Sequence, residues 1–184
     1  MSHRFNCSAI MNLPNSLTIF RILALPLCAG ALLNDGGINP RWQWIAWFSF
    51  FIVGMTDVLD GRIARNRNQV SQLGIILDPI ADKAFIATAL IGLSYLGKLP
   101  WWVTAIILLR ELSVTVLRFA VLKREVISAS KGGKFKTLIQ NFSVGLYILP
   151  LPSFLFLPRD ILLGVAIVLT LSTGFYYFRS ALRK

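Results

Sequence analysis

The chain has 184 residues, of which 55% are hydrophobic and only 15% charged, with a mean hydropathy of +0.66. Ordinary soluble domains carry about 25% charged residues, so this composition points to a polytopic membrane protein in a single domain, residues 1–184. The net charge of +11 would suggest nucleic acid in a soluble protein. Here the basic residues flank apolar runs, so anionic lipid and membrane topology account for them and no nucleic-acid partner is expected. Two cysteines, Cys7 before the first apolar run and Cys28 inside it, make no disulfide framework.

In chain order, residues 1–14 read as a short interfacial helix. Six apolar stretches follow, each near the ~20 residues a bilayer-spanning helix needs: Ser16–Leu33, Trp42–Ile63, Leu73–Leu96, Trp101–Leu122, Leu138–Leu157 and Asp160–Phe178. The first has no small-residue cleavage site and is expected to be a retained span rather than a signal peptide. Asn15 or Ser16, after Pro14, is expected to cap it. Breaks are predicted at Asn34 to Gly37 with Pro40, at Gly97 to Pro100, at Lys131-Gly132-Gly133-Lys134, and from Pro150 to Pro158. The expected fold is an all-α integral membrane protein of six transmembrane helices. With the N-terminus in the cytoplasm, only Arg41, Lys98 and Arg159 fall outside, and every other lysine and arginine lies in or near a cytoplasmic segment. That asymmetry predicts cytoplasmic N- and C-termini. Trp42, Trp44, Trp47, Trp101 and Trp102 then make an aromatic belt at the outer interface.

Four of the eight acidic residues, Asp57, Asp60, Asp78 and Asp82, lie inside the second and third apolar stretches. A carboxylate at the centre of a membrane helix costs about 2.5–3.5 kcal/mol on insertion scales, so four together need compensation. Asp57 and Asp60 are three apart and Asp78 and Asp82 four apart, so on helices each pair shares a face. Two such faces turned together form a cluster of oxygens suited to a hard divalent cation, Mg2+ or Mn2+. Gly61 and Gly74 remove bulk beside the carboxylates. Arg62, Arg65 and Arg67 place positive charge there, a setting suited to a diphosphate. The competing reading pairs the aspartates with these arginines and with Lys83 merely to hold helices together.

The string Asp57-x-x-Asp60-Gly61-x-x-Ala64-Arg65, eight residues, Gly74-x-x-x-Asp78-x-x-x-Asp82 resembles the signature of the CDP-alcohol phosphatidyltransferases, with every fixed position and gap matched. The resemblance implies six membrane helices, a homodimer, and transfer of a phosphatidyl group from a CDP-linked lipid to an alcohol with release of CMP. It implies that Asp57, Asp60, Asp78 and Asp82 hold the metals and that Asp82 is also the general base toward the acceptor hydroxyl. Asn15, Thr18, Asp57, Asp60, Gly61, Ala64, Arg65 and Gly74 would contact the CDP moiety. A two-metal site suits displacement at phosphorus, and a positioned base is typically worth ~10²–10⁴ in rate.

The flanks, Asn12-Leu13-Pro14-Asn15-Ser16-Leu17-Thr18-x-x-Arg21, Leu109-Arg110-Glu111 with Leu117-Arg118, and Ser130-Lys131-Gly132-Gly133-Lys134-x-Lys136-Thr137, are similar to one bacterial branch of that family, the phosphatidylglycerophosphate synthases. This implies CDP-diacylglycerol and sn-glycerol 3-phosphate as substrates and a site in the bacterial inner membrane facing the cytoplasm. Arg21, Arg110, Arg118, Lys134 and Lys136 are the residues expected to hold the acceptor phosphate. For Arg110 and Glu111 the plainer expectation is a local ion pair. Inositol phosphate or phosphatidylglycerol as acceptor would use the same chemistry. A divalent-cation transporter or a non-catalytic lipid-binding scaffold are the readings of a different class.

Overall fold

The computed structural model describes residues 13–66, 72–121 and 131–182, with the side chains of 13–15, 17, 57–66, 72–76, 118–121, 131–134, 177 and 180–182 outside that description. Six long helices make up these segments, and no strand occurs among the described residues. They are α1 (Leu13–Leu33), α2 (Pro40–Asn66), α3 (Gln72–Tyr95), α4 (Trp101–Val121), α5 (Lys131–Ile148) and α6 (Phe156–Leu182). Residues 1–12, where the interfacial helix is expected, lie outside the described residues.

Three of the four predicted breaks are present. Between α1 and α2 a 3-10 turn, Asn34–Gly37, puts Asp35, Gly36 and Gly37 at positive φ. The Gln43 side-chain amide closes it by donating to the carbonyl of Gly37 at 2.6 Å. Between α3 and α4 the chain turns at Gly97, also at positive φ. Between α5 and α6 a 3-10 turn spans Ser153–Leu155, and α6 then begins at Phe156, so Pro158 sits in its first turn rather than ahead of it. The first turn tolerates proline because its N–H has no intrahelical partner to lose.

Two expectations are corrected. Helix α1 is already formed at Leu13, so Asn15 and Ser16 lie in its first turn and do not cap it. Helix α5 runs from Lys131, so the Lys131-Gly132-Gly133-Lys134 string is the opening of a helix and not a break. Glycine costs least at a helix start, where backbone groups are unsatisfied anyway.

Helix α1 packs against α2 and α3, α4 against α3 and α6, α5 against α6, α2 and α3. The apolar core includes Cys28, Leu32, Ala46, Leu90, Leu93, Val103, Ile107 and Ile148. The α1–α3 contact depends on Gly92, where a Cβ would stand 2.6 Å from Leu32 Cδ2. Gly37 approaches Leu96 in the same way, so the α1–α2 and α3–α4 turns lie at one end of the bundle. Lys98 and Arg159 lie there too. Burial, and after it the Arg159 charge, pull the Lys98 ammonium below its ordinary value.

Polarity is inverted relative to a water-soluble helical protein. Thr18, Arg21, Ser94, Thr104, Glu111, Lys136, Gln140, Ser143 and Thr170 are buried, whereas Leu23, Leu27, Phe48, Phe51, Leu109, Val116, Phe142, Val168 and Phe175 are exposed. Single exposed leucines are ordinary, but an outer surface made of them fits a lipid surrounding. Thr18–Gly37 and Ser153–Tyr176 are each long and apolar enough to cross a membrane on length and composition, and only 28% and 17% of their apolar windows are buried. A soluble protein's core helix would be mostly buried. Helices α3, α4 and α5 carry charges inside their apolar runs, among them Asp78, Asp82 and Lys83, Arg110 and Glu111, and Lys136.

Candidate active site

Asp78 and Asp82 lie one turn apart on α3, with Pro79 between them. Proline lacks the N–H that would bond to the carbonyl four residues earlier, and membrane helices accept this when neighbours compensate. From α1, the buried Thr18 hydroxyl donates to Asp78 Oδ1 at 2.7 Å. Arg21 follows Thr18 by one turn on the same face and is likewise buried. Two residues expected at the nucleotide and metal, sixty positions apart in the chain, are thus in contact. Asp57, Asp60, Gly61, Ala64 and Arg65 belong to the last part of α2, and Gly74 to the first turn of α3. Their side-chain positions lie outside the described residues, as do those of Asn15, Arg118 and Lys134. Arg67 lies outside them entirely.

A second polar cluster adjoins Asp82. Lys83 Nζ donates to Asp82 Oδ2 at 3.3 Å and to Glu111 Oε2 of α4. Lys136 of α5 donates to Glu111 Oε1, and Arg110 Nη1 reaches the same oxygen at 3.1 Å. Arg110 continues onto α6, its Nε donating to the Thr170 carbonyl at 3.1 Å and its Nη2 to Thr173 Oγ1 at 2.7 Å. It can lie across that helix because residue 174 is glycine; a Cβ there would stand 3.2 Å from Arg110 Cγ. Glu111 therefore joins α3, α4 and α5, and through Arg110 α6.

The expected Arg110–Glu111 pair is present, but Glu111 does far more than pair with its neighbour. Sequence reasoning assigned it no wider role. The available signal was a carboxylate inside an apolar run, which requires compensating partners. One pairing of the competing reading, Lys83 with an aspartate, is also present, at Asp82. Of the residues expected at an acceptor phosphate, the structure gathers Arg110 and Lys136 on Glu111 and places Arg21 beside Thr18.

The donor set suits a hard cation. Asp78 and Asp82 offer carboxylate oxygens from one helix face, and Thr18 engages only one oxygen of Asp78. Among the described residues no group of three or more histidine, cysteine or acidic side chains comes together; the other two aspartates of the motif are those whose side chains lie outside the description.

Residues 11–172 match the family model described as CDP-alcohol phosphatidyltransferase, and the chain belongs to that enzyme family. It is 48% identical over 174 residues to a protein of Mycobacterium tuberculosis named "Probable phosphatidylglycerophosphate synthase", a match covering 95% of this chain and 83% of that relative. It is 34% identical over 183 residues to the CDP-diacylglycerol–glycerol-3-phosphate 3-phosphatidyltransferase of Bacillus subtilis, covering 92% and 94%. A cardiolipin synthase (CMP-forming) of Streptomyces coelicolor is 34% identical over a shorter stretch of 114 residues, 62% of this chain and 53% of that relative.

Proposed function

We propose that this protein transfers the phosphatidyl group of CDP-diacylglycerol to sn-glycerol 3-phosphate, forming phosphatidylglycerophosphate and CMP, with Mg2+ or Mn2+. The contact of Thr18 with Asp78 carries the reading, since it joins the N-terminal motif to the signature carboxylates at one place in the bundle. The names of the relatives that match over nearly their full length favour glycerol 3-phosphate as acceptor.

In this reading Asp57, Asp60, Asp78 and Asp82 hold the metal. When bound, it would neutralise the diphosphate and stabilise the attacking and leaving oxygens. Thr18 orients the Asp78 carboxylate through its hydrogen bond. Asn15, Gly61, Ala64, Arg65 and Gly74 receive the CDP group. Asp82 accepts the proton of the acceptor 1-hydroxyl as that oxygen attacks the phosphorus bearing diacylglycerol, and the bond to the CMP phosphate breaks. Arg21, Arg118, Lys134 and Lys136 attract the acceptor phosphate, and Arg110 supports them through its bond to Glu111. The reaction is a direct displacement.

The chain forms one membrane domain in the bacterial inner membrane, with all six helices crossing, both termini cytoplasmic, and two chains paired as a homodimer. The helices have 18–27 residues. At 1.5 Å per residue each is close to or longer than the ~30 Å hydrocarbon core. The inverted polarity supports the same reading.

The test is CMP release by detergent-purified protein given CDP-diacylglycerol, Mg2+ or Mn2+, and glycerol 3-phosphate, inositol phosphate or phosphatidylglycerol. Release that depends on glycerol 3-phosphate and stops with chelator is expected. Release with another acceptor corrects the product, and no release with any acceptor from folded protein refutes the reaction.

A further inference from the structure

Lys83 stands between two carboxylates of different standing. One belongs to Asp82, whose side chain is 43% exposed; the other belongs to Glu111, 9% exposed. Lys83 follows Asp82 directly, and neighbours on a helix point about 100° apart. Left to itself, the long lysine arm could still fold back onto Asp82. Instead its ammonium reaches away from α3 to Glu111 on α4 and keeps a bond of 3.3 Å to Asp82 Oδ2. Glu111 is anchored where it can draw Lys83 across. Its other oxygen is held by Lys136, 2% exposed, and by Arg110, which is itself tied to Thr170 and Thr173 of α6.

We propose that Glu111 is a positioning residue that holds the Lys83 ammonium partly off Asp82, keeping the Asp82 carboxylate available to a divalent cation and to the acceptor hydroxyl. The inference rests on the metal-binding reading of Asp82 given above. Its physical basis is competition. An ammonium fully seated on a carboxylate occupies the oxygen a cation would use and opposes that cation's charge. With Glu111 neutral, Asp82 is the remaining carboxylate partner of Lys83 among the described residues. Arg110 would keep its α6 partners, so Lys83 is the cation whose position changes in a way that matters to Asp82.

The experiment measures Mn2+ affinity of the detergent-purified full chain, read as free Mn2+ by electron paramagnetic resonance, in parallel with CMP release. Removing a partner that supports a metal ligand typically weakens metal binding 10–100-fold. Glu111→Gln is expected to weaken Mn2+ binding by about 10-fold or more. Adding Lys83→Met to the same chain is expected to restore most of that affinity, because the competing ammonium is gone. Glu111→Asp retains the charge but shortens the reach toward Lys83. It is expected to lose less affinity, again recovered by Lys83→Met, and it serves if Glu111→Gln does not fold.

Unchanged Mn2+ affinity in Glu111→Gln overturns the inference. So does a loss that Lys83→Met fails to restore, since Glu111 would then act through packing alone. A wild-type chain that binds no Mn2+ overturns the metal reading and this inference with it. Wild-type Mn2+ binding without glycerol 3-phosphate-dependent CMP release refutes the proposed reaction, while loss and recovery of affinity in the variants still support the positioning role.

Discussion

Thr18 and Asp82 carry the two sharpest expectations at the scale of single residues. Thr18 gives Asp78 its hydrogen bond from another helix. A bond of this kind is worth about 1 kcal/mol, or roughly fivefold in an equilibrium or rate. Thr18→Val keeps the shape and removes the donor, so kcat/KM for CDP-diacylglycerol should fall about fivefold, read from initial rates of CMP release. An unchanged value would leave the contact without a catalytic role. Asp82→Asn keeps the size of the side chain and removes its capacity to accept a proton. Its kcat should fall by ~10²–10⁴, with binding of CDP-diacylglycerol largely kept in equilibrium titrations. A loss confined to substrate binding would contradict the base role. Glu111 belongs at this scale too, because its influence on Asp82 runs through the one ammonium of Lys83.

Between elements, packing follows where side chains are absent as much as where they are present. Helix α1 lies against α3 because Gly92 leaves room for Leu32, itself fully buried. Gly92→Ala puts a methyl group 2.6 Å from Leu32 Cδ2, and relief requires Leu32 to move within a filled core. Overpacking of this kind typically costs 1–3 kcal/mol. Thermal unfolding in detergent should therefore show a lower midpoint for Gly92→Ala than for wild type. An equal midpoint would mean that the α1–α3 contact gives way without strain. The same contact carries Thr18 to Asp78, so the variant should also lose activity per folded molecule.

For the molecule as a whole, three turns share one end of the bundle, since Gly37 meets Leu96 and Lys98 feels Arg159. The proposed topology puts that end outside the cell and the carboxylates toward the cytoplasm. In a chain with Cys7→Ser and Cys28→Ala, a cysteine introduced at the exposed Ile38 should react with an impermeant maleimide added to intact cells. One introduced at Arg179, near the end of α6, should react only after permeabilisation. The opposite pattern would reverse the orientation and place the site away from the cytoplasmic substrate. Glu111 and its three cations are charged inside the protein rather than in water, with Glu111 and Lys136 both buried. Buried ionic groups of this kind cost most when one partner is lost.

Six apolar runs, the turn residues between them and the gaps between the four aspartates were legible without coordinates, because hydropathy and helical spacing are local properties. The family signature rests on those same gaps. Helix starts were legible only in part. Pro14 reads as lying ahead of a helix, and Pro158 and the Gly132-Gly133 pair resemble breaks, yet all sit in first turns, where an unsatisfied backbone makes them cheap. Which faces meet was not legible. Spacing places Asp78 and Asp82 on one face of α3, but only the packing of α1 brings Thr18 to Asp78 across sixty positions. Adjacency suggests that Arg110 and Glu111 pair with each other. That pair forms, but the tertiary structure also sends Arg110 to α6 and gathers Lys83 and Lys136 onto Glu111. Long cationic side chains take the partner that a neighbouring helix presents, and that choice is made by packing rather than by spacing along the chain.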